Sequence, residues 1–472
     1  MDTPAHPDTD LRPLLDQVRA AHRKQVPDAR QRLADLDKLA EAVRRHRDEL
    51  TKAVSADFGR RSRHETLAAD VMTTLDEIKY LRRHLKSWMR PQRRGLNWAF
   101  LPARGEIRQQ PLGVVGIVAP WNYPIQLALI PLADAIAAGN HVMLKPSEHT
   151  PRTSELLARL VGEAFPPERV TVVQGDAAVG AAFTRLPFDH LVFTGSTVVG
   201  RAVMAAAAPN LTPLTLELGG KSPALIAPGY PIEHAADRIA AGKCFNAGQT
   251  CVAPDYVLVP RAQRDEFVRA YLASVRRRYP TLASNPDYTA VVNHRQASRL
   301  REWLDDARDR GVTVMQYRPD SETPPPGVEV IPPTVLLDPP DEAKVMQEEI
   351  FGPLLPVKSY DSHDAAIAYI NGRDRPLAFY PFDRDRGRLQ RTLDAVVAGG
   401  VCVNDCLIQF GQHELPVGGV GPSGMGQYHG RDGFMAFSKP MPVLYQARVN
   451  SMWVLDPPYG KVASFVVKLL TR

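Results

Sequence analysis

The fold is decided by residues 114–145, which read VVGIVAPWNYPIQLALIPLADAIAAGNHVMLK. An apolar, β-branched run opens this stretch at 114–118, another closes it at 141–145, and a helical segment at 125–138 lies between them. Short apolar runs without polar alternation are typical of strands that are covered on both faces of a sheet. The order strand, helix, strand therefore predicts a βαβ unit with two parallel strands.

The same alternation continues on both sides of this unit. Downstream, apolar runs at 170–173 and 190–193 predict further strands, and a helix is expected at 154–165. Upstream, apolar residues at helical spacing predict amphipathic helices around 33–50 and 62–89. The first half of the chain is therefore predicted to form a parallel sheet with helices on its faces.

A second α/β section is expected from Leu218 to Leu415, with a turn-rich surface loop at 318–327. The segments Gly105–Gln110 and Met435–Gln446 lie outside both sections, and we expect them to pair as a β-ribbon. The predicted fold class is therefore α/β, with two α/β sections and a small β-ribbon.

The composition is that of an ordinary globular protein, with 44% hydrophobic and 23% charged residues in a chain of 472. The net charge of +6 is modest, and the densest basic run, Met89–Arg94, has no nucleic-acid-binding motif beside it, so no nucleic-acid partner is expected. We expect no secretory signal in MDTPAHPDTD and no apolar run near the roughly 20 residues of a membrane-spanning helix. The apolar, basic segment 461–472 either rests on a membrane surface or docks on the protein itself or a partner subunit.

The chain has four cysteines, Cys244, Cys251, Cys402 and Cys406, too few for a disulfide framework, which favours a reduced, cytoplasmic setting. Cys402 and Cys406 have no partners at zinc spacing, so we predict packing roles and no metal site. Cys251 lies among small and polar residues in GQTC, between Gly248 and Pro254. This context predicts an accessible thiol on a tight turn near a helix start, with a lowered pKa; a buried packing cysteine is the alternative.

Two further residues have chemistry that a catalytic thiol requires. Glu217 lies between leucines in LELGG, where burial is expected to raise its pKa and suit it to act as a general base. The alternative is a structural carboxylate bonded to backbone amides. Asn122 follows the predicted strand 114–118, where its amide can stabilise an oxyanion or simply form a turn.

Two motifs suggest a nucleotide. In FTGSTVVG, residues 193–200, Gly195 permits a tight turn and Ser196 lies where a helix start presents free N–H groups to a phosphate; an ordinary capped turn is the alternative. In KPSE, Lys145 and Glu148 follow a strand end, where they can contact ribose hydroxyls or form a surface ion pair.

Together these motifs resemble the aldehyde dehydrogenase superfamily, over roughly residues 30 to 445. They are PWNYP at 120–124, KPSE at 145–148, FTGSTVVG at 193–200, LELGGKSP at 216–223, GQTC at 248–251 and EEIFGP at 348–353. GQTCVAPDY at 248–256 and GGVGPSGMGQYHG at 418–430 are similar to the class 3-type branch, and DFGRRSRHETL at 57–67 is similar to coniferyl aldehyde dehydrogenases.

This resemblance implies oxidation of an aldehyde, coniferyl aldehyde-like among the candidates, to a carboxylic acid with NAD, or alternatively NADP, as cofactor. Cys251 would form a thiohemiacetal whose oxyanion is held by Asn122 and the Cys251 N–H, and Glu217 would activate the water that hydrolyses the thioester. The implied cofactor contacts are Trp121, Lys145, Glu148, Thr194, Gly195, Ser196, Leu218, Glu349 and Phe351.

The resemblance also implies a domain organisation and a homodimer bridged by the β-ribbon. The expected parts are a disordered tail at 1–10, a Rossmann-like NAD(P)-binding domain at 11–97 and 112–217, a catalytic domain at 218–417, a bridging oligomerisation element at 98–111 and 430–450, and a C-terminal tail at 451–472.

Two rival functions remain at this stage. A coenzyme A-acylating dehydrogenase would share Cys251, but such an enzyme is expected to lack a glutamate at position 217. A non-catalytic scaffold of the same fold would have no need of Asn122, Glu217 and Cys251 together. Val417 and Pro381 depart from the usual family sequence. Both are expected near the substrate or cofactor edge of the site, so they affect the choice of substrate rather than the type of reaction.

Overall fold

The computed structural model describes residues 10–319 and 323–471. Most of the tail predicted at 1–10, and residues 320–322 of the predicted loop, lie outside the described residues. In chain order the helices are α1 (Arg12–Lys24), α2 (Ala29–Asp57), α3 (Arg63–Glu65), α4 (Thr73–Trp88), α5 (Gln126–Ala138), α6 (Pro151–Ala164), α7 (Ala177–Thr184), α8 (Thr197–Ala207), α9 (Ile232–Cys244), α10 (Arg264–Arg278), α11 (His294–Asp309), α12 (Lys344–Gln347), α13 (His363–Asn371), α14 (Arg386–Ala395), α15 (Gly430–Ala436) and α16 (Lys461–Leu470).

The strands build three sheets. They are β1 (Gln92–Arg94), β2 (Arg104–Pro111), β3 (Val114–Val118), β4 (His141–Lys145), β5 (Val170–Val172), β6 (His190–Thr194), β7 (Leu214–Glu217), β8 (Pro223–Ile226), β9 (Tyr256–Pro260), β10 (Thr313–Gln316), β11 (Thr334–Leu337), β12 (Leu354–Tyr360), β13 (Ala378–Phe382), β14 (Gly400–Val401), β15 (Gly424–Met425) and β16 (Ser438–Tyr445). A π-helix, Thr66–Met72, joins α3 to α4, and short 3-10 turns include Phe245–Gly248.

The six-stranded sheet has the order β15-β7-β6-β3-β4-β5, and its strands are parallel except where β15 pairs with β7. The predicted βαβ unit is confirmed: β3 pairs in parallel with β4, from Val114 opposite His141 to Val118 opposite Lys145, and α5 connects them. Apolar residues of α2, α4, α5 and α6 pack with the sheet in one core cluster, and residues of α1, α7 and α8 pack with it in another. The predicted α/β class is therefore correct for this half of the chain.

Helix α5 is bonded to α2 at its C-terminal end. The helix stops at Gly139, whose φ of +93° favours glycine. Buried Arg32 of α2 donates hydrogen bonds to the carbonyls of Ala137 and Ala138 at 3.1 and 2.9 Å. These bonds satisfy carbonyls that the last turn of a helix otherwise leaves without partners.

The seven-stranded sheet has the order β10-β11-β12-β9-β8-β13-β14, with β10 antiparallel to β11 and the other pairs parallel. Pro381 lies inside β13, where the missing N–H is tolerated. The carbonyl of Pro381 accepts from Asn404 N at 2.9 Å, so its nitrogen faces the same side, beyond the last residue of the two-residue strand β14. Cys402 and Cys406 are buried in the core cluster of this sheet, as predicted for packing residues, and Cys244 lies in the same cluster.

The predicted β-ribbon is present, with a correction at one end. Strand β2 pairs antiparallel with β16, from Arg104 opposite Tyr445 to Pro111 opposite Ser438, and β1 adds a third strand. Met435 is not part of the ribbon, because it lies in the last turn of α15. The domain boundaries drawn from the sequence stay predictions, although the three sheets fall in the corresponding parts of the chain.

Two helical elements differ from the sequence prediction. Helix α1 was not predicted, because it buries only Leu15, Val18 and His22 and its apolar stripe is short. The single helix expected at 62–89 is instead α3, the π-helix and α4, and Asp70 of the π-helix is fully buried. Across residues 10–319 and 323–471, no helix is both long enough and apolar enough to cross a membrane.

Candidate active site

The site lies where loops from the two large sheets meet. Asn122 follows β3, and Glu217 is the last residue of β7, so both belong to the six-stranded sheet. Cys251 follows α9 and a 3-10 turn, and Phe351 precedes β12 of the seven-stranded sheet. The rings of Trp121 and Phe351 meet edge to face with centroids 5.3 Å apart, so the loops of the two sheets are in contact at this point.

The chain reaches Cys251 through a strained turn. Asn246, Ala247 and Gly248 have φ values of 51°, 50° and 74°, three successive residues in the left-handed region. Such a conformation costs about 1–3 kcal/mol for each residue other than glycine, so the surroundings must hold it. Gly248 is also crowded, because a Cβ there would stand 2.3 Å from the carbonyl oxygen of Gly352. The glycine of GQTC is therefore a steric requirement.

Hydrogen bonds from Asn246 hold this turn. Its backbone N–H donates to Glu65 Oε1 at 3.1 Å, and its Nδ2 donates to the carbonyls of Asn122 and Gln249 at 3.1 and 3.0 Å. Asn246 thus links the turn to the loop that carries Asn122. No role was predicted for Asn246 or Glu65 from the sequence. The one indication for Asn246 was its place in FNAGQTC, five residues before the thiol.

Gln249 is a structural residue, a role that the sequence analysis also missed. Its Nε2 donates to the carbonyls of Asn246 and Ala290, each at 3.0 Å, and its Oε1 accepts from Val292 N at 2.9 Å. A buried amide with this many partners fixes the backbone around it, because breaking any of the bonds leaves an unpaired polar group. The two residues before Cys251 are thereby held.

Asn122 faces the same turn. Its Nδ2 donates to the carbonyl of Gln249 at 3.2 Å, and its own carbonyl accepts from Arg61 Nη1 at 2.6 Å. A side-chain amide nitrogen carries two hydrogens. One of them is donated to Gln249, which leaves the second for another acceptor.

Cys251 does not have the lowered pKa that the sequence analysis predicted. Burial raises the pKa of the thiol to about 12, the nearby carboxyls of Glu349 and Glu217 act in the same direction, and the backbone N–H groups of Cys251 and Val252 oppose them. The prediction was wrong because Cys251 lies in a turn after the 3-10 segment rather than at a helix start, and carboxyls rather than cations face it. The residue as a whole is half-buried.

Glu217 is a buried carboxyl without hydrogen-bond partners. The residue is 4% exposed, and neither Oε1 nor Oε2 has a partner among the described residues. Burial raises its pKa well above the usual range, the direction predicted from the sequence. The alternative of a carboxylate satisfied by backbone amides does not agree with these unpaired oxygens.

At the end of β6, some polar groups have hydrogen-bond partners within the protein and one does not. Thr194 Oγ1 is buried without a partner among the described residues, whereas Gly195 N donates to the carbonyl of Glu217 at 3.0 Å and is not free. Ser196 caps α8, with its hydroxyl accepting from Val199 N at 3.4 Å. The capped-turn alternative is thus present, and the N–H of Gly195 is not available to a phosphate.

Lys145 and Glu148 form the ion pair that was one of the two predicted alternatives. Lys145 Nζ lies 3.1 Å from Glu148 Oε2, with the lysine side chain 3% and the glutamate side chain 36% exposed. Burial alone would raise the pKa of Glu148, but its own backbone N–H and the charge of Lys145 outweigh burial and lower it. Gly180 leaves room here, since a Cβ at that position would stand 3.3 Å from Lys145 Cε.

Glu349 is a second buried carboxyl whose charge acts on the thiol. Its carboxylate packs on Gly219, where a Cβ would stand 2.0 Å from Oε2. Burial and the charge of Asp255 raise the pKa of Glu349 to about 8, while a hydrogen bond from Gly220 N and the charge of Lys221 lower it. Leu218, next to these glycines, is buried and donates its N–H to the carbonyl of Ser423 at 3.1 Å.

In the part of the chain that the structure describes, no cluster of three His, Cys, Asp or Glu residues is placed to hold a metal ion.

A half-buried cysteine, a buried carboxyl and a side-chain amide therefore lie together at the junction of the two large sheets. The chain belongs to the aldehyde dehydrogenase family, whose sequence profile matches residues 7–443. It is 50% identical over 464 residues to a protein named probable coniferyl aldehyde dehydrogenase from Pseudomonas aeruginosa, covering 98% of this chain and 96% of that one.

Solved structures agree with this assignment. The substrate-bound state of AldH from Staphylococcus aureus superposes with a TM-score of 0.92 at 36% identity, covering 97% of this chain and 99% of that chain. An NAD+ complex of an aldehyde dehydrogenase from Bacillus cereus superposes with a TM-score of 0.83 at 26% identity, covering 92% of this chain and 88% of that chain. The predicted family and fold are therefore confirmed.

The crowding at Gly248 generates a first prediction. Gly248→Ala should lower the steady-state rate of aldehyde oxidation by about 100-fold, because the new Cβ must displace the backbone that carries Cys251. Gly229→Ala is the matched control: its φ of +81° imposes a similar backbone cost of about 1–2 kcal/mol, but no atom lies within 4 Å of the new Cβ. Equal rates for the two variants would contradict the steric role of Gly248.

The burial of Glu217 generates a second prediction, on stability. Its pKa in the folded state is raised above the ordinary 4.5, so the folded protein holds this proton more tightly than the unfolded chain does. This contribution to stability is present in acid and is lost as the pH rises through the raised pKa. Glu217→Gln should therefore melt at a higher temperature than the wild type at alkaline pH, with the gap closing below 4.5.

Melting curves across this pH range measure the effect, with Glu233→Gln on the exposed start of α9 as the control. A gap that stays constant with pH would show that the Glu217 carboxyl is not desolvated in the folded protein.

Proposed function

We propose that Cys251, Glu217 and Asn122 form the active site of an NAD(P)-dependent aldehyde dehydrogenase that hydrolyses its own thioester. One observation carries this proposal: a desolvated carboxyl without hydrogen-bond partners acts on the thiol from the end of β7, while the Asn122 amide is bonded to the turn before that thiol. The first supplies a base, and the second supplies an oxyanion donor.

The residues beside the site suit a dinucleotide. Thr194 offers a buried hydroxyl without a partner among the described residues, and Glu148 and Lys145 offer polar groups at the end of β4. Phe351 contacts the ring of Trp121, and Glu349 lies two residues before it. When bound, the nicotinamide of NAD(P) supplies the acceptor for the hydride that the aldehyde carbon loses. Trp121, Gly195, Ser196 and Leu218 complete the proposed set of cofactor contacts.

The raised pKa of Cys251 opposes the first half of the reaction. The thiol must give its proton to solvent before its sulfur attacks the aldehyde carbon, and the charges of the Glu349 and Glu217 carboxyls act against this ionisation. The new S–C bond makes a thiohemiacetal and places negative charge on the former carbonyl oxygen. Asn122 Nδ2 and the backbone N–H of Cys251 stabilise that charge, since both lie at the turn that carries the thiol.

The second half uses Glu217. Once the carbon is oxidised to the thioester level, Glu217 takes a proton from water, and the resulting hydroxide attacks the carbonyl carbon. The C–S bond then breaks, which releases the carboxylic acid and the Cys251 thiolate. Because burial raises the pKa of Glu217, the carboxylate is a stronger base than an exposed one, and its base form appears at higher pH.

The rival functions fit the site less well. A coenzyme A-acylating enzyme has no use for a desolvated base at position 217, and a scaffold has no use for a strained turn that presents a half-buried cysteine. Neither rival explains why Glu217 is left without hydrogen-bond partners, which is unfavourable for stability.

The substrate class is drawn from a named relative. At 50% identity over nearly the whole chain, the name coniferyl aldehyde dehydrogenase supports an aromatic, coniferyl aldehyde-like substrate. We further propose a cytoplasmic homodimer that pairs through the ribbon β2–β16, an assembly that exposed Leu444 of that ribbon supports. The apolar residues exposed on α16 leave contact with a partner subunit or a membrane surface open to test.

The proposed mechanism predicts different kinetics for two variants. Glu217→Gln should still release one NADH per active site in a rapid first turnover, followed by a steady-state rate about 100-fold or more below the wild type, since the thioester waits for its base. Cys251→Ala should release none. Stopped-flow absorbance of NADH measures both, with Cys244→Ala, a buried cysteine of the packing core, as the control for Cys251. An unchanged steady-state rate for Glu217→Gln would refute the role of Glu217.

The specificity is tested by initial rates on coniferyl aldehyde and on aliphatic aldehydes, with NAD and NADP separately. We expect higher kcat/KM for the aromatic aldehyde and for NAD, because the Glu148 carboxylate repels a 2′-phosphate. The full rate should appear without coenzyme A. A requirement for coenzyme A would instead favour the acylating enzyme, and no activity on any aldehyde would favour the scaffold.

A further inference from the structure

The motif DFGRRSRHETL contains a buried arginine that the reaction as described so far does not use. The side chain of Arg61 is fully buried, and its guanidinium lies over the rings of Phe58 and Tyr123, with centroids 5.0 and 4.8 Å away. Its Nη1 donates to the backbone carbonyl of Asn122 at 2.6 Å. A buried cation is costly unless it is paired, so its position here requires an explanation.

The partner of Arg61 is Asp70 of the π-helix Thr66–Met72. Arg61 Nη2 and Asp70 Oδ2 lie 3.2 Å apart, and both side chains are fully buried. Asp70 Oδ1 accepts from the backbone N–H groups of Ile125 and Gln126 at 3.2 and 3.0 Å, at the start of α5. Arg61 and Asp70 therefore hold both ends of the short segment that begins with Asn122.

The stretch 61–70 also contacts the turn before Cys251, through Glu65. Glu65 Oε1 accepts from Asn246 N at 3.1 Å, and its Oε2 accepts from Thr289 Oγ1 at 2.6 Å. Asn246 Nδ2 then donates to the carbonyl of Asn122, the oxygen that Arg61 also contacts. That carbonyl is the junction between the arginine, the amide loop and the turn that leads to Cys251.

We propose that Arg61, Glu65 and Asp70 form a positioning bridge that sets the Asn122 amide against the thiol of Cys251. These residues do not touch the reacting atoms. Arg61 and Asp70 orient the loop of Asn122, and Glu65 fixes the turn of Asn246. Both loops are therefore hydrogen-bonded to one stretch of ten residues, 61–70. The inference rests on the proposed role of Asn122 as the oxyanion donor.

The bridge explains two features of the chain. A π-helix is rare in proteins, and where one occurs inside a longer helical stretch it is often at a functional site. Here the π-helix carries Asp70, whose carboxylate accepts from the backbone at the start of α5. The strained residues Asn246 and Ala247 need an external tether, which Glu65 supplies. The bridge therefore acts on both sides of the site, although it lies behind the reacting groups.

A test separates positioning from general stability. The double variant Arg61→Met/Asp70→Asn removes the donor to Asn122 without leaving a buried charge unpaired, and the amide oxygen that Asp70→Asn introduces can still accept the N–H groups of α5. Its effect is measured in the wild-type and the Asn122→Ala backgrounds, as a double-mutant cycle. The readout is the burst of p-nitrophenolate from p-nitrophenyl acetate, which requires no cofactor.

In this assay the Cys251 thiolate attacks the ester carbonyl, an oxyanion forms, the bond to the phenolate oxygen breaks, and an acetyl group stays on the sulfur. We expect the double variant to slow the burst by about 10-fold or more in the wild-type background and by less than about twofold in the Asn122→Ala background. Arg61→Lys, which keeps a positive charge and a donor, should recover part of the rate.

The matched control is Arg32→Met, because Arg32 is another buried arginine that bonds backbone carbonyls, at the far end of the same helix α5. It should lower the melting temperature and leave the burst rate within about twofold of the wild type. If the double variant does not fold, Arg61→Lys takes its place in the cycle, with a slower burst expected only when Asn122 is present.

Equal slowing by the double variant in both backgrounds would overturn the bridge, as would a burst that falls as much in Arg32→Met. If Asn122→Ala alone leaves both the burst and aldehyde oxidation unchanged, the proposed function of Asn122 fails instead. The two failures are therefore distinguishable.

Discussion

The active site depends on the hydrogen bonds between two loops that belong to different sheets. Asn246 Nδ2 bonds the carbonyl of Asn122, and Asn122 Nδ2 bonds the carbonyl of Gln249 two residues before the thiol. Asn122 lies in the loop after β3 and Glu217 ends β7, both of the six-stranded sheet, whereas Cys251 follows α9 of the other section, so neither half of the chain brings all three residues together alone. The left-handed turn at 246–248 and the absence of a Cβ at Gly248 both follow from bringing these loops together.

Desolvation is the second constraint, and it acts on Glu217 and on Cys251 alike. Glu217 has no hydrogen-bond partner among the described residues, and burial raises the pKa of both Glu217 and Cys251. A carboxyl in this setting destabilises the folded protein when it is ionised, yet the same setting makes it a strong base toward a water molecule. In the proposed mechanism the N–H groups and the Asn122 amide receive the negative charge of the oxyanion, so the reaction does not rely on a lowered pKa of the thiol.

The parallel βαβ unit, the ribbon and the family could be predicted from the sequence, because apolar runs and short motifs are local signals. The pKa of Cys251 could not, since it depends on carboxyls from distant parts of the chain that the fold brings to the thiol. Asn246 and Gln249 were missed because their function lies in bonds to residues far apart in sequence. Asp70 fell inside the helix predicted at 62–89 and Arg61 just before it, and neither position in the sequence indicates that the two side chains pair in the interior.

The central claim is that the reaction passes through a covalent bond to Cys251 that Glu217 helps to break. Its most direct test is to quench the Glu217→Gln variant with acid during turnover of an aldehyde with NAD, digest the protein and measure the peptide masses by mass spectrometry. The account predicts that the peptide containing Cys251 gains the mass of the aldehyde less two hydrogen atoms, the signature of a thioester. A peptide without added mass, or the same mass on Cys244, Cys402 or Cys406, would contradict it.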